Sequence, residues 1–370
     1  MSVDILETAS PSDRRRSAEA EVQAELRRFF RTRAESAASY GPSFTRLWTI
    51  AGESVLGGKL VRPLLLVEMF HALRGPESGD CDGETLTEIA TAVELLHYAF
   101  LMHDDVIDGD LTRRGRSNLV GALLSEVRSG HARAGEDADL HWARTGGILM
   151  GDLLLAGVHQ LFARARLPHQ QRLALLDLLD RTITESVAGE DLDVGLSAGV
   201  VAPDLATILD MSVCKTAAYT FELPLRAAAV LAGGDADIDA SLSTAGRHLG
   251  LAFQLQDDLL STFGDPHRHG KDSFSDLREG KQTAIIAYAR QTSAWRAVEP
   301  AFGRSDLTDG QGVAVRELLA ECGARTFVED LIDGELQACR EVAADADRGM
   351  PLRARQVLLD LIARLEGRRT

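Results

Sequence analysis

Two short acidic runs, each closing an apolar stretch, are the residues best suited to do chemistry in this chain. The first is His103-Asp104-Asp105-Val106-Ile107-Asp108. Asp104 and Asp108 stand four apart, so on a helix they share a face. Carboxylates that close repel one another unless a cation lies between them. Their hard oxygens suit Mg²⁺ better than a soft metal. An acidic run can also be a solvated helix end. Against that, carboxylates at a helix C-terminus oppose its dipole, and the apolar helix behind them aims them out of a core. The second run, Phe253-Gln254-Leu255-Gln256-Asp257-Asp258, ends another apolar stretch. Two such clusters facing one another across an apolar pocket would hold several Mg²⁺ ions.

Cationic segments complete the set. Arg113-Arg114-Gly115 follows the first acidic run, and Arg suits bidentate contact with phosphate, though surface basic pairs are also common. In Gly57-Gly58-Lys59-Leu60-Val61-Arg62-Pro63, the glycines let backbone approach an anion while Lys59 and Arg62 supply charge. This is not a nucleotide P-loop: Glu53 stands where its first Gly belongs, Leu60 replaces Ser/Thr, and no strand precedes it. After Gly264 come Lys271 and Asp276-Leu277-Arg278-Glu279-Gly280-Lys281, glycine-flanked cations able to close over a phosphate or to form an ordinary charged loop. Lys215-Thr216 sits inside the apolar stretch Met211–Leu225, where the lysine either snorkels or faces an anion.

The elements that must position these residues read as helices. Residues 1–17 resemble a disordered tail and 18–370 a helical domain. Helical spacing covers Ala18–Ala38 through Val22, Leu26, Phe29 and Phe30, then about Arg62–Leu73, opened by Pro63. Thr87–Asp108 carries Ile89, Val93, Leu96, Phe100 and Leu101 on a helical stripe. Ser125–His141 reads as a polar surface connection. Further helices are expected over Trp142–Ala165, His169–Ala188, Asp204–Ala232 and Ile238–Phe263. From Lys281 on, helices are broken near Gly303–Gly312 and Arg348–Pro351. No window alternates as a strand.

Composition narrows the function. The formal net charge of −16 over 370 residues disfavours nucleic-acid binding. An acidic chain can still bind a small anion through a metal ion. Cys81, Cys214, Cys322 and Cys339 form no C-x-x-C pair, which reads as buried thiols in a reducing compartment. The first 16 residues lack the apolar core of a signal peptide, and no run of about 18 apolar residues suggests a membrane span. Ile148–Phe162, interrupted by Asp152 and His159, reads as a buried core helix.

Taken in order, GGKLVRP, ELLHYAFLMHDDVIDGDLTRRG, Gly151-Asp152, Lys215-Thr216, FQLQDD, Gly270-Lys271 and DLREGK resemble the trans-isoprenyl diphosphate synthase (polyprenyl synthetase) family from about residue 50 to 290. The resemblance implies an all-α, single-domain bundle around a deep central cavity. It implies an Mg²⁺-dependent prenyltransferase joining isopentenyl diphosphate head to tail with an allylic diphosphate, in a cytoplasmic homodimer with transient membrane contact. Three Mg²⁺ ions would be held by Asp104, Asp108 and Asp257, with Asp105 and Asp258 in support. Arg113, Lys215, Gln254, Lys271 and Lys281 would bind the allylic diphosphate. Lys59, Arg62, His97 and Arg114 would bind isopentenyl diphosphate, and Lys215, Thr216 and Gln254 would set dipoles near the allylic cation. The second cluster departs from the family pattern: Ser261 replaces a third Asp, for which Asp265 could compensate. The stretch loosely resembles a class I terpene cyclase motif, yet a cyclase needs no second diphosphate site. A non-catalytic partner subunit is a third reading, opposed by the full first cluster. Chain length would be set one turn before Asp104, at Ala99 and Phe100, because helical side chains lean toward the N-terminus. Bulky Phe100 points to a medium product, C20, with C15 and C25 in range.

Overall fold

The structure, a computed structural model, describes residues 11–55, 57–75, 81–113, 115–130, 135–264, 274–345 and 349–368. The described residues are all-α apart from one two-residue strand pair. Two compact units divide the chain: one holds the described residues up to Leu176 with Val230–Gly233, the other Asp177–Ala229 and the described residues from Gly234 onward.

The first unit comprises α1 (Pro11–Ala37), α2 (Pro42–Val55), α3 (Val61–Leu73), α4 (Gly83–Ile107), β1 (Thr112–Arg113), β2 (Arg116–Ser117), α5 (Leu119–Ser129), α6 (Glu136–Arg164) and the start of α7 (His169–Ser197). Helix α4 is its centre, packing on α3, α6 and α1. Its predicted stripe is the reason: Ile89, Val93 and Leu96 are buried, and each such side chain contributes about 1.5–3 kcal/mol. Asp82 caps the start of α4, accepting from the Thr85 N–H at 2.7 Å. Gly109, at φ +75°, stops it in the left-handed conformation that suits glycine.

The sequence expectations need four corrections here. The helix expected from Ala18 already starts at Pro11, so part of the presumed tail is helical, while residues 1–10 lie outside the described residues. Ser125–His141 is not mainly a connection: α5 runs to Ser129 and α6 starts at Glu136. Arg113 lies in a strand pair, Thr112 opposite Ser117 and Arg113 opposite Arg116, which no alternation announced because each strand has two residues. Finally, α6 is only half a core helix. One face packs on α4 and α5, but Trp142, Ile148 and Leu149 are 51, 45 and 49% exposed. By length and composition it is long and apolar enough to cross a membrane.

The second unit continues α7 and adds α8 (Leu205–Ser212), a π-helical segment (Val213–Glu222) and α9 (Leu223–Ala232), whose last residues belong to the first unit. Then come α10 (Ala236–Phe263), α11 (Ser275–Glu279), α12 (Ala284–Arg290), a single turn at Trp295–Val298, α13 (Asp309–Glu321), α14 (Ala324–Ala344) and α15 (Leu352–Glu366). Helix α10 is the organiser, packing on the π segment, α14 and α15. Asp235 caps it with bonds to the Asp237 and Ile238 amides.

The single helix expected over Asp204–Ala232 is therefore interrupted. Its centre widens to i→i+5 bonding: the Leu223 N–H reaches the Ala218 carbonyl. Pro224 has no N–H to donate and crowds the preceding turn, which gives a local cause for the wider winding before it.

Candidate active site

In the first unit, the last turn of α4 presents Asp104 and Asp108 one turn apart, their backbones joined by the Asp108 N–H to Asp104 carbonyl bond at 2.8 Å. Arg113 folds back from β1. Its Nη2 donates to Asp104 Oδ2 at 3.0 Å and to Asp105 Oδ1 at 2.7 Å, and its Nε donates to Asp105 at 3.0 Å. Burial pushes the Asp105 carboxyl above its ordinary range, with Arg113 working against that rise. Burial likewise opposes the Arg113 charge, but Asp105 and then Asp104 outweigh it and hold the guanidinium above its usual value. Arg113, expected on a diphosphate, is thus engaged by the acidic cluster itself.

Behind this turn, the His103 ring lies on α6. A Cβ at Gly151 would sit 2.3 Å from His103 Nε2, so only glycine leaves room there. Asp152 Oδ1 is 3.2 Å from the same nitrogen. The Gly151-Asp152 pair therefore seats the residue that precedes Asp104.

The glycine-rich turn leads into α3 in the same unit. Gly57 has φ +100°, and Leu60, buried, holds φ +49° at the helix N-cap. A non-glycine residue in that region is uncommon and marks local strain. Gly58 is pressed against α4, where an added Cβ would meet the Tyr98 hydroxyl at 2.9 Å. That hydroxyl donates to the Val55 carbonyl. Lys59 is exposed and Arg62 half-buried in the first turn of α3, while half-buried His97 lies next to Tyr98 on α4. The fourth residue expected with them, Arg114, lies outside the described residues, as do Lys271 and Asp265.

In the second unit, the C-terminal turns of α10 carry Gln254, Asp257, Asp258 and Ser261. Thr216 Oγ1 donates to Gln254 Oε1 at 2.8 Å, and Gln254 Nε2 donates to Asp258 Oδ1 at 2.8 Å. This chain brings together two residues predicted near the reacting carbon with a predicted supporting carboxylate. Burial first, then Asp276, pushes the Asp258 carboxyl up to about 8; Asp257 adds to the rise, and Gln254 and Lys281 oppose it. Asp257 is ion-paired with Arg368. Lys281 follows Gly280, which stops α11 at φ +72°, and its Nζ lies 3.3 Å from Glu279. Arg278 ties α11 to the Leu307 carbonyl at 3.0 Å and Asp309 at 2.9 Å.

Lys215 does not simply snorkel. Its Nζ lies 2.6 Å from Asp193 and 2.9 Å from Glu190, both on α7. The π segment bearing it is clasped by glycines. A Cβ at Gly189 on α7 would be 2.2 Å from the Lys215 nitrogen, and one at Gly250 on α10 would be 2.2 Å from the Ala217 Cβ. Wide π turns recur at functional sites. Glu190 and Asp193 were missed in the sequence although Gly189-Glu190-Asp191-Leu192-Asp193 is an acidic run of the same kind as the other two. Arg368 had no local signal.

In each unit the donors suit a hard divalent ion: Asp104 and Asp108 in the first and Asp257 in the second offer carboxylate oxygens only, and at Asp258 burial, then the neighbouring Asp276 and Asp257, disfavours a charge that a cation would stabilise.

Comparison with known proteins agrees with this picture. The polyprenyl synthetase profile matches residues 46–314, which span every predicted site residue. The geranylfarnesyl diphosphate synthase of Aeropyrum pernix is 29% identical over 77% of this chain and 83% of its own length. The (2E,6E)-farnesyl diphosphate synthase of Mycobacterium tuberculosis is 32% identical over 72% of this chain and 67% of its own. The crystal structure of a Corynebacterium glutamicum geranylgeranyl pyrophosphate synthase, complexed with isoprenyl diphosphate and magnesium, superposes with TM-score 0.86 at 29% identity, covering 95% of this chain and 98% of that one. With the family profile matched over residues 46–314, the chain belongs to the polyprenyl synthetase family.

Proposed function

We propose that this chain condenses isopentenyl diphosphate head to tail with an allylic diphosphate, releasing pyrophosphate and an all-trans prenyl diphosphate of medium length, C20, with C15 and C25 in range. What carries the reading is the family match over a stretch that keeps both carboxylate clusters and the cationic segments in order. Magnesium held by Asp104, Asp108 and Asp257, three ions in this reading, supplies positive charge to the departing pyrophosphate.

The chain's own residues do the rest. Arg113, Lys215, Gln254, Lys271 and Lys281 hold the allylic diphosphate. Arg113 and Lys215 must leave their carboxylates, or share them, to do so. Lys59, Arg62, His97 and Arg114 hold isopentenyl diphosphate. As the allylic C–O bond breaks, the Thr216–Gln254 pair directs its dipoles at the allylic cation. The alkene of isopentenyl diphosphate attacks that carbon, and the proton lost from the new chain passes to pyrophosphate. No protein nucleophile is needed. The growing chain runs along α4, where Ala99 is fully buried and Phe100 half-buried, toward the deep cavity implied by the resemblance. We place the enzyme in the cytoplasm as a homodimer that meets membranes only to hand over its product. The exposed apolar side chains of α6 support the dimer.

Incubation with Mg²⁺, isopentenyl diphosphate and labelled allylic diphosphates tests this. A longer prenyl diphosphate is expected, lost with EDTA. A hydrocarbon or alcohol formed from one substrate would make it a cyclase, and no turnover would make it a non-catalytic subunit.

A further inference from the structure

We propose that Arg368 is a built-in counter-cation for Asp257, a C-terminal latch that competes with divalent metal for the second carboxylate cluster. This rests on the assignment of Asp257 as a metal ligand. Arg368 stands 111 positions from Asp257 yet donates from Nη2 to its Oδ1. It is held there by construction. Helix α15 docks on α10 and α14 through buried Leu358 and Ile362. Where α15 ends, the Gln256 amide donates to the Leu365 carbonyl at 2.8 Å, and that same carbonyl receives the Arg368 N–H at 3.1 Å. The anchor is thus the neighbour of Asp257 in sequence. The guanidinium also lies over the Phe253 ring, one turn before Asp257, with Cζ 4.3 Å from the centroid. Both ends of the ion pair are thereby placed by packing.

The latch is built to release. Arg368 Nη1 is buried with no hydrogen-bond partner among the described residues. A permanent structural bridge would satisfy that donor, because an unmade buried bond is costly. Both side chains of the pair remain about one-third exposed, so water and ions reach them. A divalent ion on Asp257 would stand within a few ångström of the guanidinium, and like charges at that range repel. Metal binding must therefore displace Arg368, and the latch weakens metal affinity in the resting enzyme.

Mn²⁺ titration of the full-length, substrate-free protein, read from the electron paramagnetic resonance of the free aquo ion, tests this. An exposed ion pair together with a cation–π contact accounts for roughly a tenfold effect, so R368Q should bind Mn²⁺ about tenfold more tightly at one site. A chain ending at Gly367 should do the same, which covers the case of R368Q misfolding. Unchanged or weaker binding in these variants overturns the latch. D257A separates the two ideas: if it loses a Mn²⁺ site while R368Q changes nothing, only the latch falls. If D257A binds as the wild type does, the metal assignment fails first and takes the latch with it.

Discussion

With the Asp258 carboxyl pushed up to about 8 against an ordinary value of 3.8, the folded metal-free chain keeps a proton there that the unfolded chain gives up near pH 4. Below pH 4 both states are protonated and the site costs nothing. From about pH 4 to about 8 the folded state binds the extra proton, so stability falls as pH rises, by about 1.4 kcal/mol per pH unit, and it levels off above 8. Asp276 and Asp257 keep that cost high, while Gln254 and Lys281 lower it. Asp258→Asn should remove the slope, so in EDTA the variant should be more stable than wild type at pH 8 and closer to it at pH 5. Urea unfolding at the two pH values checks this, and parallel profiles for the two proteins would disprove it. At the same scale, Phe100→Ala should lengthen the product, read by chromatography, whereas unchanged products would leave Phe100 an ordinary packing residue. Asp104 and Asp108 were legible because a helix turns a spacing of four into a shared face, and Asp257 because it closes a second apolar stretch. The partners of Lys215, Arg113 and Asp257 were not. An ion pair such as Asp257–Arg368, 111 residues apart, depends on how helices dock, and no local spacing encodes that.

Among the elements, the π segment is the part of the site least visible in sequence and most dependent on its neighbours. Apolar periodicity reports that residues face a core but hardly separates 3.6 from wider winding, so Asp204–Ala232 read as one helix. What holds the segment is close contact. Gly189 of α7 leaves no room above Lys215, and Gly246 and Gly250, four apart on α10, lie against Glu222 and Ala217. Gly189→Ala would drive a methyl to 2.2 Å from backbone that has nowhere to go. It should cost about 1–3 kcal/mol and, by displacing Lys215 and Thr216, lower turnover more than substrate affinity. Gly334→Ala in α14 is the contrasting case, since its Cβ would meet nothing within 4 Å. It should stabilise the chain by about 0.5–1 kcal/mol with activity intact. Equal melting shifts for the two variants would mean that the glycine contacts do not hold the segment.

At the scale of the molecule, a charge of −16 and two acidic helix ends leave the chain rich in carboxylates that need partners. The structure supplies several from within: Arg113 at the first cluster, Arg368 at the second, and Glu190 and Asp193 holding Lys215 in turn. The apolar side of the ledger is less complete. Helix α6 buries Met150, Leu154 and Val158, yet Trp142 and Leu149, seven residues apart and so on one helical face, stay half exposed beside Ile148. Large side chains exposed together on a long helix mark a surface that awaits a partner, and the homodimer proposed above puts a second copy of the chain on it. A double substitution of Ile148 and Leu149 by Glu would place two charges on that face without touching the buried one. Light scattering should then find one chain per particle for the variant and two for the wild type, with helical content by circular dichroism unchanged. A variant that stays a dimer would move the interface elsewhere and leave the exposed face of α6 without an occupant.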